Sequence, residues 1–144
     1  MEELIRNIYE QARLIGACDK FTGKEHTLEE IVRLFLSVHG IEFCLKNQFP
    51  NIATFRAFKE HEEWLQEHGI YIDAGAISLK NRDMVVLIGR TSATLVYDEL
   101  KRHKVVLLQG AKATIGAWKW ALVNIQKDDT CEVIKSAYNN AIIL

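Results

Sequence analysis

Histidine and cysteine are the residue types in this 144-residue sequence that most often hold metals or act as nucleophiles. The pair His61-Glu62 matches the start of the H-E-x-x-H zinc motif, but Leu65 stands where the second histidine is required. No two cysteines form a C-x-x-C pair, and no serine stands in a G-x-S-x-G turn. The sequence therefore predicts no catalytic residue, no metal site, no cofactor and no enzymatic activity.

Asp128 and Asp129 offer two adjacent carboxylates, a group used in acid/base catalysis. Neighbouring side chains in a turn point apart, so these two are badly placed to act on one substrate atom. An aspartate in a turn more simply accepts hydrogen bonds from nearby backbone N–H groups. We therefore expect this pair to shape a turn.

The segment Lys101–Lys104 is a run of basic residues that could contact phosphate or an acidic partner. Asp98 and Glu99 precede the run and nearly cancel its charge, and the sequence has no G-x-x-x-x-G-K-S/T phosphate loop. The simplest interpretation is a solvated turn between strands. The candidate anion contacts are Lys101, Arg102 and Lys104.

Trp118-Lys-Trp120 places two indoles at alternate positions, which share one face if the segment is a strand. Two indoles on one face make a large amphipathic surface that something should cover. The helical half of the chain or the interior of the β half could do so. A partner protein or a second subunit is the functional alternative, because tryptophan is enriched among interface anchors.

The sequence finishes with the apolar strand Ala141–Leu144. An unprotected final strand exposes a pairing edge, so these residues either fold back into the core or meet another chain. The simplest other chain is a second copy. The candidate interface residues are Trp118, Trp120, Ile142, Ile143 and Leu144.

The elements that carry these residues follow from the pattern after Gly69, where short β-branched and apolar runs alternate with turn residues. Val85-Val-Leu-Ile and Val105-Val-Leu-Leu lie twenty residues apart, as do Ala93-Thr-Leu and Ala113-Thr-Ile. Ala121-Leu-Val and Ala141-Ile-Ile repeat the same spacing, whereas Val105 and Ala121 are only sixteen apart. The spacing indicates an imperfect repeat of about twenty residues.

A two-strand unit of this length cannot bury its apolar side alone, but stacked units form a parallel β-solenoid in which each strand has neighbours. An antiparallel β-sandwich also places turns every 8 to 12 residues and stays open as the alternative. Residues 71–144 are therefore predicted to be a repetitive β domain.

The first half shows helical periodicity instead. We expect three helices, over Glu2–Gly16, from the capping box Thr27-Leu-Glu-Glu30 onward, and from Asn51 to Gly69. A loop covers Asp19–His26. The predicted fold class is α+β, with a three-helix segment in residues 1–70 that forms one cooperative unit with the β domain or folds separately.

Composition limits the function classes further. Hydrophobic residues at 49% and charged residues at 26% are typical of a folded globular protein. A formal net charge of −1 gives no general attraction to nucleic acid or anionic lipid, and no apolar run reaches the roughly 18 residues that a membrane span needs. The three scattered cysteines, Cys18, Cys44 and Cys131, fit reduced thiols in the cytoplasm.

Three segments, Glu42–Pro50, His68–Asp73 and Gly110–Ile115, resemble a group of small proteins encoded in anaerobic gut bacteria and their phages. The resemblance covers most of the chain and implies a helical part before a repetitive β part. It also implies an origin in a mobile element and a place in the cytoplasm, or in the virion if the gene belongs to a phage. The group has no established activity, so no functional residue is carried over.

Taken together, the sequence predicts a non-enzymatic structural or protein-interaction protein that self-associates or docks a protein partner through its β half. The alternative is a nucleic-acid-binding or regulatory module of a mobile element that uses the helices and Lys101–Lys104.

Overall fold

A computed structural model of the chain describes residues 2–16 and 27–144. The predicted loop Asp19–His26 and Cys18 lie outside the described residues. The chain divides into two compact units, Met1–Ala57 and Phe58–Leu144. The predicted boundary near residue 70 falls inside the second unit, because the last helical segments belong with the strands.

The first unit is helical. Its helices are α1 (Glu2–Leu14), α2 (Leu28–Phe35), α3 (Val38–Asn47) and α4 (Ile52–Arg56). Two predicted caps are confirmed: the Thr27 hydroxyl accepts the Glu30 N–H at 3.2 Å, and the Asn51 side chain accepts the Thr54 N–H at 2.9 Å. Within residues 2–16 and 27–144, no helix is long and apolar enough to cross a membrane.

The second predicted helix ends at Phe35, and the separate helix α3 begins at Val38. Ser37 begins α3 by accepting the Gly40 N–H at 3.1 Å, and its own hydroxyl donates to Leu34 O at 2.6 Å. Gly40 lies so close to the end of α2 that an added Cβ would be 2.2 Å from Leu34 O. Glycine is therefore required at position 40 for the close approach of two helices.

The second unit begins with a 3-10 helix (Lys59–His61) and α5 (Glu62–Glu67), which lies against the first strand. The Arg82 guanidinium donates to Gln66 O and Glu67 O, both at 3.3 Å, and so satisfies carbonyls at the end of α5. The strands are β1 (Ile70–Ile72), β2 (Gly75–Lys80), β3 (Met84–Ile88), β4 (Thr91–Tyr97), β5 (Arg102–Leu108), β6 (Lys112–Ala117), β7 (Leu122–Lys127), β8 (Glu132–Ala137) and β9 (Ile142–Ile143).

These strands form two parallel sheets, sheet A in the order β1-β3-β5-β7-β9 and sheet B in the order β2-β4-β6-β8. The chain alternates between them, so each pair of strands is one turn of a solenoid of about four turns. The predicted β-solenoid is confirmed, and the antiparallel sandwich does not occur. Residues twenty apart lie one above the next, as in the pairs Val85 with Val105 and Ala93 with Ala113.

The irregularity of the repeat is in the first turn. Ile70 pairs with Val86 and Gly75 with Thr91, which are steps of sixteen residues, whereas every later turn has a step of twenty. The sixteen-residue step from Val105 to Ala121 in the sequence is therefore not a turn of the solenoid, because Val105 pairs with Ile125.

Alternate residues of each strand point into the solenoid, where they stack as columns along its length. One column in sheet A contains Leu87 and Leu107, and one in sheet B contains Leu95 and Ile115; all four are fully buried. The opposite faces of β3 and β5 are also buried, which explains why these two strands are continuous apolar runs.

Asp128 anchors the corner between β7 and β8, as the turn interpretation predicted. Its carboxylate accepts the Gln109 N–H at 2.9 Å from the preceding turn and the Thr130 N–H at 2.8 Å, and it also accepts the Thr130 hydroxyl and the Cys131 thiol. Burial raises the pKa of the Asp128 carboxyl, but these hydrogen bonds outweigh burial and hold the pKa below its ordinary value.

We expect Asp128→Asn to lower the free energy of unfolding at pH 7 by about 1–3 kcal/mol, because the amide loses one acceptor and the negative charge. The depressed pKa stabilises the folded state above the ordinary value of about 4, and this contribution is lost as the pH falls through the folded pKa. Urea unfolding from pH 7 to pH 2.5 should therefore show the difference from wild type shrinking below about pH 4. Asp129→Asn, which changes the exposed neighbour, is the control. If Asp128→Asn and wild type differ in stability as much at pH 2.5 as at pH 7, the stabilisation does not come from the Asp128 carboxylate.

Two polar rings lie buried inside the solenoid. The Tyr97 and His103 ring centroids are 4.5 Å apart, and His103 Nδ1 is 3.1 Å from Arg82 O. The Tyr97 hydroxyl and His103 Nε2 have no hydrogen-bond partner among the described residues. Burial also raises the pKa of Tyr97, so the hydroxyl stays neutral.

Tyr97→Phe should raise the free energy of unfolding by about 1 kcal/mol, because it removes a buried hydroxyl that lacks a partner while it retains the ring. Chemical denaturation measures the change. Tyr138→Phe, which removes an exposed hydroxyl, should leave stability within about 0.5 kcal/mol of wild type. A clear loss of stability in Tyr97→Phe would mean that the hydroxyl is hydrogen-bonded.

Candidate functional site

The corners that lead from sheet B back to sheet A differ in length along the solenoid. Lys80 pairs with Val96, and Met84 pairs with Lys104. Three residues therefore lie between these two positions in the first corner, and seven lie between them in the second. The longer corners occupy residues 98–101, 118–121 and 138–141. They lie on successive turns of the solenoid.

Trp118-Lys-Trp120 lies in the middle one of these corners. The prediction that the two tryptophans share a strand face is wrong, because β6 ends at Ala117 and β7 begins at Leu122. Lys119 and Trp120 both have left-handed backbone conformations, with φ of 55° and 66°. This conformation breaks the alternation of a strand, so the two indoles occupy different surroundings.

Trp118 has a structural role. Its indole covers Gly116 on the outer face of sheet B, where an added Cβ would be 2.6 Å from the ring. The same indole stacks on Tyr138 of the next corner, with ring centroids 5.4 Å apart and ring planes at 19°. Glycine at 116 and tyrosine at 138 therefore account for the position of Trp118.

Trp120 has no comparable packing. Its side chain is 62% exposed and makes no aromatic contact with any described residue. The next corner repeats the left-handed pair with Asn139 and Asn140, at φ of 50° and 65°. Asparagine adopts this conformation readily, whereas a bulky residue does so at a cost of about 1–2 kcal/mol.

The exposed large hydrophobic residues of the three long corners are Leu100, Trp120 and Tyr138, and we call them together the corner surface. Leu100 is 82% exposed and Tyr138 is 51% exposed. Leu100 and Trp120 lie at equivalent positions of successive turns. Sequence reasoning missed Leu100 and Tyr138, although the twenty-residue repeat that links them to Trp120 and Trp118 was visible.

Charged and polar groups lie beside the corner surface. The Asn81 amide donates to Asp98 Oδ1 at 2.6 Å, and Lys80 Nζ lies 3.4 Å from Asp98 Oδ2. The hydrogen bond from Asn81, and then the charges of Lys80 and Lys119, hold the pKa of Asp98 below its ordinary value. The apolar group thus has a polar margin, as interface centres commonly do.

The final strand divides its residues between the core and solvent. Ile143 packs against the interior cluster of the solenoid. Ile142 and Leu144 are more than half exposed. Ile143 therefore lies in the core, whereas contact of Ile142 and Leu144 with another chain stays a prediction. The predicted interface residues lie in the middle corner and on the last strand, and Ala121 O, next to Trp120, accepts the Ile142 N–H at 2.9 Å.

The basic run Lys101–Lys104 does not form one cationic patch. Lys101 Nζ lies 2.6 Å from Asp83 Oδ1, and this contact lowers the pKa of Asp83 and raises that of Lys101. His103 points into the solenoid and is buried. Arg102 is exposed and Lys104 is half-buried, so an anion would meet separated charges. Anion contact at Lys101, Arg102 and Lys104 stays a prediction.

The remaining features offer little for small-ligand chemistry. A crevice between Phe58, Leu65 and Ile72 has a volume of about 180 Å³, open solvent included, which is smaller than typical ligand pockets. In the part of the chain that the structure describes, no three His, Cys, Asp or Glu side chains come close enough to hold a metal ion. Cys44 and Cys131 are buried free thiols.

Comparison of the chain with protein-family models, with curated proteins and with solved structures found no match. These comparisons do not bear on the resemblance to proteins of gut bacteria and their phages, which stays a prediction. Functional inference therefore depends on the geometry of the corner surface and of the last turn.

Proposed function

We propose that this chain is a non-enzymatic protein-interaction protein whose solenoid presents the corner surface to a protein partner. The observation that carries the proposal is Trp120, an exposed indole held in a left-handed backbone conformation. We place the interaction in the cytoplasm, or in the virion if the gene belongs to a phage.

The conformation of Trp120 is energetically unfavourable in the free chain. A tryptophan in left-handed conformation destabilises the fold, and its exposed ring recovers little by packing in the free chain. The next turn makes the same corner with asparagine, so the fold itself does not require an indole here. Burial against a partner would supply the missing contacts, and tryptophan is the residue type that most often dominates such contacts.

A protein partner suits this surface better than a nucleic acid. Its centre is apolar, with two aromatic rings and an aliphatic side chain on neighbouring turns, whereas nucleic-acid sites are strongly basic. Three nearby cations are offset by acids: Lys80 is paired with Asp98, Lys101 is paired with Asp83, and the charge of Lys119 acts on Asp98. Little positive charge is therefore left to attract phosphate.

Trp120→Asn should leave the free energy of unfolding unchanged or raise it by up to about 1 kcal/mol, because it copies the residue that the next turn uses. Urea denaturation measures this change. A loss of more than about 1 kcal/mol would show that the indole packs within the fold, and would contradict the proposal.

The same variant should bind the protein partner more weakly than wild type does. The full chain is immobilised, as wild type or as the variant, and incubated with an extract of the cell that encodes it. The protein captured by wild type is identified, purified and tested for binding to both chains. Trp120→Asn should weaken purified binding by at least about tenfold, as expected for an interface anchor. Val38→Asn is the matched control, since Val38 is 66% exposed on the helical unit. Equal binding by Trp120→Asn and wild type contradicts the proposal.

A further inference from the structure

The last turn of the solenoid carries two lysines at positions that point inward. Leu87 and Leu107 of one interior column continue to Lys127, and Leu95 and Ile115 of another continue to Lys135. Both lysines are exposed and make no ion pair with a described residue. Two interior columns thus change from apolar to cationic at this turn.

The strands of the last turn also have unpaired edges. Among residues 2–16 and 27–144, β8 pairs with β6 alone, and β9 pairs with β7 alone. The free edge of β8 presents a row of backbone N–H and C=O groups, which is the template that an added strand uses. Ile134 on its outer face is 68% exposed. An added strand could therefore pair with the backbone of β8 and also bury Ile134.

A second copy of this chain fits the edge badly. Residues that face each other across paired strands lie on the same face of the sheet, so Lys135 would meet inward residues of the copy. The inward residues of the last turn are apolar or lysine, and Glu132 points outward. The inward residues of β2, at the other edge of sheet B, are Ile77 and Leu79. Self-pairing would enclose lysines without any acid to neutralise them.

We propose that the edge of β8 binds an extended segment of another protein, added as a strand, with an acidic side chain facing inward to Lys135 and Lys127. The register of the sheet defines the rest of that segment. An apolar residue faces Val133 and another covers Ile134, while a basic residue faces Glu132, which already lies 3.8 Å from Lys112. This inference rests on the proposed function only for the premise of a protein partner, since it concerns a different surface.

Fluorescence anisotropy with the full chain tests this arrangement. The probe is the labelled peptide Thr-Lys-Val-Val-Glu-Thr-Val-Thr, and the matched probe has lysine in place of glutamate. Wild type should bind the acidic peptide at least about fivefold more tightly, because only that peptide neutralises the inward lysines. Lys135→Glu should reverse the preference. Lys46→Glu, on α3, makes the same change in net charge and should leave the preference intact.

Three outcomes overturn the proposal. The first is equal affinity for the two peptides, and the second is no binding of either at about 1 mM. The third is a wild-type dimer in sedimentation that Ile134→Lys converts to monomer, because a second copy would then occupy the edge. The Trp120→Asn variant should bind the peptide as tightly as wild type does. A wrong prediction about the corner surface can therefore be distinguished from a wrong prediction about the edge of β8.

Discussion

The parallel backbone ladder is the interaction on which the second unit depends. Each turn donates to and accepts from the next, sixteen residues on in the first step and twenty in the later ones, and no turn can bury its apolar residues without that neighbour. The ladder fixes register, and register aligns like positions into columns. This one repeated pairing produces the interior columns, the hydrogen bonds of Asp128 at its corner and the exposed corner surface.

The parts that sequence reasoning predicted correctly are those where burial is strongest. β3 and β5 are apolar on both faces, so their repeat was obvious from Val85-Val-Leu-Ile and Val105-Val-Leu-Leu. β8 was missed because Glu132–Ala137 is largely exposed and carries little apolar signal. Only its register with β6 identifies it as a strand, and register is a property of the whole ladder rather than of six residues.

The candidate site was harder to predict than the fold. The two tryptophans were singled out by residue type, but their separation depends on the left-handed pair Lys119-Trp120, which no local preference of tryptophan predicts. The inward direction of Lys135 was equally hidden, because it follows from the pairing of Ile115 with Lys135. Residue type alone identified the side chains that could take part in binding. The direction in which each one points could be known only from the pairing of the strands.

The short corner of the first turn has a consequence for how this protein can change. Only three residues join Lys80 to Met84. The strands that contain these two residues, β2 and β3, nevertheless pair with β4 and β5 of the next turn. The ladder therefore tolerates corners of at least two lengths. Insertions, deletions and exchanges of whole segments at these corners can alter what the protein recognises without disturbing its framework, so variation among its descendants should concentrate there.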